Sequence, residues 1–79
     1  MTDGRELRDG DFVVVEDRQC FLSGLCSVAL WPHITPVHLG PGLPKGLAQA
    51  YAVDLADQGG TRAWDLTLTL PALLISGRL

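Results

Sequence analysis

From position 62 to position 70 the chain alternates strictly. Arg62, Trp64, Leu66, Leu68 and Leu70 fall on one side, and Thr61, Ala63, Asp65, Thr67 and Thr69 on the other. A period of two marks a half-buried strand, and Thr, Trp and Leu suit a pleated surface. The Trp-Leu side is expected to face the core and the Asp-Thr side the solvent.

Residues 47–57 fit either period. As a helix, Leu47, Tyr51 and Leu55 recur at i, i+4 and i+8 and Gly59 supplies the left-handed stop. As a strand, Tyr51, Val53 and Leu55 share one face. Two features favour the strand. Asp54 and Asp57 lie where the helix dipole disfavours anions, and Asp57-Gln58-Gly59-Gly60 has the composition of a turn. We therefore expect a hairpin with a four-residue loop, Val53 opposite Trp64 and Tyr51 opposite Leu66, because a tighter loop would set Asp54 against Asp65. The alternative is an α+β fold with one helix at 47–57.

Upstream, the Phe-Val-Val-Val-Glu run at 12–16 is apolar on both sides and predicts a strand covered on both faces. Residues 20–31 predict a second strand, bent near Ser23-Gly24. In it Cys26, Val28 and Leu30 face one way and Leu25, Ser27, Ala29 and Trp31 the other. Residues 32–46 hold four prolines and read as a stiff, partly extended arm, the place to look first for contacts. Residues 72–76 predict a last short strand after Pro71. The whole reads as mostly β, about five short strands in a small antiparallel barrel or rolled sheet with a long Pro/Gly-rich loop. The stretch from Tyr51 through the glycine turn to Trp64 resembles hairpins of SH3-like barrels, which implies architecture and nothing about activity.

Composition changes this picture in three ways. Apolar residues make up 47% of 79, more than a compact monomer of this size hides easily, so a protein partner or a homo-oligomer is expected. The net charge is −3 with six basic residues, none of them clustered, which argues against nucleic acid. Nine charged residues crowd into positions 1–18, so 1–10 reads as a flexible segment ahead of a single domain at 11–79. That segment lacks the apolar stretch of a signal peptide, and the uncharged run that follows is broken by prolines. Neither a membrane span nor export is expected, and the cytoplasm is the expected location.

Candidate chemistry is sparse. Cys20, Cys26, His33 and His38 are spaced C-x5-C-x6-H-x4-H, without the close cysteine pair of a zinc knuckle. On an extended strand the two thiols stand ~20 Å apart, too far for shared ligation or a disulfide. A metal or small catalytic site on Cys26, His33 and His38 is the second reading, and a small-molecule barrel lined by Tyr51, Trp64 and Leu66 the third. The first is a non-enzymatic interaction or self-assembly module without cofactor, using Trp31, Ile34, Val37, His38, Leu43 and Trp64 as contact residues.

Overall fold

The computed structural model describes residues 7–16, 24–38, 41–67 and 73–75. Expectations on residues 1–6, Cys20, Ser23, Leu68, Thr69, Leu70 and Pro71 fall outside them. The elements in chain order are β1 (Phe12–Glu16), β2 (Leu25–Leu30), β3 (Thr35–Pro36), β4 (Leu43–Pro44), α1 (Lys45–Gly59), β5 (Ala63–Asp65) and β6 (Leu73–Leu74). They form a small mixed α/β domain, an open sheet in the order β3-β2-β1-β5-β6 with one helix. β4 also pairs with β2.

β1 is the centre of the sheet. It runs antiparallel to β2, with Val14 opposite Val28 and Glu16 opposite Cys26. It runs parallel to β5, with Val13 beside Trp64 and Val14 beside Asp65. Both of its faces are covered, as the run of valines predicts: Val13 and Val14 are fully buried. On one face Ala48, Ala52 and Ala56 of α1 pack over Val14, Cys26, Val28 and Ala63. Three alanines on one stripe let the helix axis lie close to the sheet. On the other face Val13, Ala29 and Trp64 form a second cluster with Leu7, Trp31, Leu66 and Leu74 at its margins. The alternation expected of residues 25–31 follows this division.

The barrel and its hairpin are not what forms. Residues 47–57 belong to a helix, so Val53 does not meet Trp64, nor Tyr51 Leu66, and the sheet stays open. The two aspartates that argued against the helix sit on its exposed side, where water screens their conflict with the dipole. The glycine pair terminates the helix instead of turning a hairpin. Gly60 takes the left-handed conformation, φ 71°, and its N–H and that of Thr61 both bond to the Ala56 carbonyl. Among the described residues of the expected strand at 62–70, those of Ala63–Asp65 form β5. Its Trp64 side is inside as expected, but its Ala63 and Asp65 side is buried too, beneath α1.

The proline-rich arm is not free. Residues 35–36 and 43–44 pair with the two ends of β2, and Val37 N–H bonds to the Val28 carbonyl at 3.1 Å. Among the described residues no helix is long and apolar enough to cross a membrane.

Candidate functional site

Two buried carboxylates organise the polar interior. Asp11 ends the turn into β1, and its side chain accepts three N–H groups. These are the Trp64 indole at 2.9 Å and the Arg8 amide at 3.0 Å on Oδ2, and the Arg62 amide at 3.2 Å on Oδ1. The turn residues Arg8 to Asp11 are thereby tied to the start of β5. The flexible segment expected at 1–10 is anchored at its described end, since Gly10 N–H also bonds to the Trp31 carbonyl at 3.1 Å.

Asp65 lies on the helix side of β5 with 1% of its surface exposed. Oδ1 accepts the Thr67 hydroxyl at 2.6 Å and the Thr67 amide at 2.9 Å, and Oδ2 accepts the Gln49 amide at 3.0 Å. The Lys45 ammonium stands 3.5 Å from Oδ2. Burial pushes this carboxyl upward, yet the Thr67 hydroxyl and amide, the Gln49 amide and the Lys45 charge together hold it below the usual aspartate range. Lys45 and Gln49 are one helical turn apart, so Asp65 pins the first turn of α1 to the sheet. Pro44 gives that turn no side-chain cap and no acidic residue lies within it. Asp65 therefore stands where a capping carboxylate would help.

These carboxylates serve the fold: every oxygen named accepts a donor from a neighbouring element or turn. The sequence pattern placed Asp65 and Thr67 on a solvated side and missed the role of Asp11. The nearest signal is local, an aspartate two residues before a threonine on the same strand face, and an aspartate closing a glycine turn.

The expected contact residues divide. Trp64 is fully buried and offers no surface. Val37 and Leu43 are half-buried against the helix-side core, and Trp31 against the other face. His38 sets its ring edge-on to Tyr51, centroids 5.9 Å apart. Ile34 is 37% exposed at the tip joining β2 to β3, beside Leu30 at 37%, and Leu47 on α1 is 60% exposed. Leu30 and Leu47 escaped the sequence reading because each sits at a position that its element's period assigns to a shared face.

Cys26 is buried beneath α1 while His33 is exposed at the tip. Among the described residues no group of three or more His, Cys, Asp or Glu is placed to hold a metal ion. Tyr51 belongs to the helix-side cluster and Trp64 and Leu66 to the opposite face, so the three do not line one cavity. No protein-family model matches the chain, no curated protein matches it, and no solved structure matches it.

Proposed function

We propose that the protein is a non-enzymatic interaction module that self-associates through the tip between β2 and β3. The observation that carries this reading is Ile34. It is a β-branched residue held at φ 56°, where L side chains other than Asn and Asp are rare. The left-handed backbone costs about 1–2 kcal/mol at such a residue. That cost is spent on a side chain left 37% exposed beside Leu30, exposed to the same extent. Asparagine or glycine would satisfy the backbone more cheaply, so an isoleucine there is better explained by a surface it covers in an assembly.

The test is sedimentation velocity across a concentration series, with thermal melts alongside. The parent chain is expected to show concentration-dependent association. Ile34→Asn removes the apolar contact and suits the backbone better, so it is expected to sediment as a monomer with an unchanged or higher Tm. A parent that stays monomeric at every concentration, or an Asn variant that associates like the parent, would sink the reading.

A further inference from the structure

The tip that carries the proposed self-association also holds a titratable side chain. Between Gln19 and Pro44 the chain has no Asp, Glu, Lys or Arg. Histidine is the side chain that changes charge between about pH 5 and 8, and this stretch contains both histidines of the chain. They are placed differently. His38 is half-buried, its ring edge-on to Tyr51 of α1. His33 is exposed, within a run of exposed residues from Pro32 to Pro36, and it directly precedes Ile34.

A surface that covers Ile34 reaches His33 as well. A specific interface takes ~800 Å² from each partner, much more than Leu30 and Ile34 can supply, so the exposed residues that join them belong to it. Two copies meeting tip to tip bring both His33 side chains to one joint, because a two-fold contact uses the same patch twice. The elements bonded to the tip supply few other charges. The turn that pairs with the Trp31 backbone carries Arg8, Asp9 and Asp11, of which Asp11 is turned inward to the Trp64 indole, and Arg62 stands at the start of β5. None of these is a histidine, and β2 and β3 include no Asp, Glu, Lys, Arg or His. We propose that protonation of His33 releases the self-association at the tip. A neutral imidazole fits an apolar contact, whereas an imidazolium must shed water to enter it and meets a like charge from the second copy. The proposal rests on reading the tip as a self-association surface, and it adds the regulation of that surface. Its sign is distinctive. The net charge is −3 and the pI about 5.0, so acidification lowers the repulsion between whole chains and favours association. Release by acid runs against that trend and identifies a local group.

The experiment is sedimentation velocity at pH ~7.5 and pH ~5.5, on either side of the range in which histidine titrates. Ionic strength is held constant, and circular dichroism at each pH follows the fold. The parent chain is expected to keep its circular dichroism and to associate about tenfold more weakly at the lower pH. His33→Gln, neutral throughout, should associate to the same degree at both. His33→Lys carries a fixed charge at the same position and should associate weakly at both, with an unchanged Tm because the site is exposed. The proposal is overturned by a parent that associates equally or more strongly at the lower pH, or by a Gln variant that keeps the pH dependence. A Lys variant that associates like the parent at the higher pH also overturns it. Those outcomes leave the Ile34 contact standing. A parent that is monomeric at both pH values removes the self-association reading and its regulation together.

Discussion

Asp65 sits in a strand between two apolar neighbours, a position where an ion costs several kcal/mol unless it is paired. Its four donors meet that cost and leave its carboxyl titrating below the ordinary range. The sign follows directly. A folded state that holds the proton more weakly than the unfolded chain gains stability that is complete well above about pH 3.9. That stability is lost as pH falls through the lower folded value. Tm measured from neutral pH down to pH ~3 should therefore drop steeply only at the acid end. Asp65→Asn should flatten part of that drop and cost about 1–3 kcal/mol at neutral pH, because Gln49 and Thr67 lose a charged acceptor. An Asn variant with the parent's acid slope would assign the slope to another group. Lys45 is 44% exposed, so its removal should cost at most about 1 kcal/mol. None of this was legible along the strand. Alternation shows which side Asp65 faces, but aspartate looks the same whether water or Gln49, sixteen positions away, satisfies it.

Among the elements, β1 and β2 were legible because their apolar runs are long enough to outvote local ambiguity, and α1 was not. Its sheet-facing residues are alanines, and alanine carries little information about period: it suits a crowded helix contact and a strand face alike. The decision then fell to Asp54, Asp57 and the glycine pair: the aspartates pointed away from what forms, and the glycines fitted a hairpin turn and a helix stop alike. The helix tolerates the aspartates because they are exposed. The glycines divide their labour, and this can be measured. Gly59 ends the helix proper without a left-handed backbone, and a Cβ there meets only the Thr61 hydroxyl at 4.0 Å. Gly59→Ala should therefore raise stability by about 0.5–1 kcal/mol. Gly60 holds φ 71°, and Gly60→Ala should cost about 1 kcal/mol in the same denaturant titration. A hairpin turn across the pair would make both substitutions costly, so opposite signs are diagnostic of the helix stop.

At the scale of the whole molecule the surplus of apolar residues goes into two separate clusters, one on each face of a sheet whose middle strand is buried from both sides. The parallel pairing of β1 with β5 was beyond the reach of pattern. Its partners lie some fifty residues apart, and the connection includes the helix misread as a strand. An open sheet has edges, and here the arm manages one of them. Val37 donates inward to Val28, so by the alternation of an antiparallel ladder the nitrogen of Pro36 faces away from β2, where a hydrogen-bearing amide would invite a further strand. Pro36, one of the prolines that predicted a stiff, partly extended arm, thus blunts the outer side of the sheet against strand addition. Pro36→Thr tests this protection. It leaves the inward bonds in place and supplies one outward N–H, so Tm should change by no more than a few degrees. Light scattering on prolonged incubation just below the melting transition should rise well above that of the parent. If scattering does not change, the edge is protected by something other than the missing donor. If it rises in Pro36→Thr but not in Pro36→Thr combined with Ile34→Asn, aggregation and association share the tip.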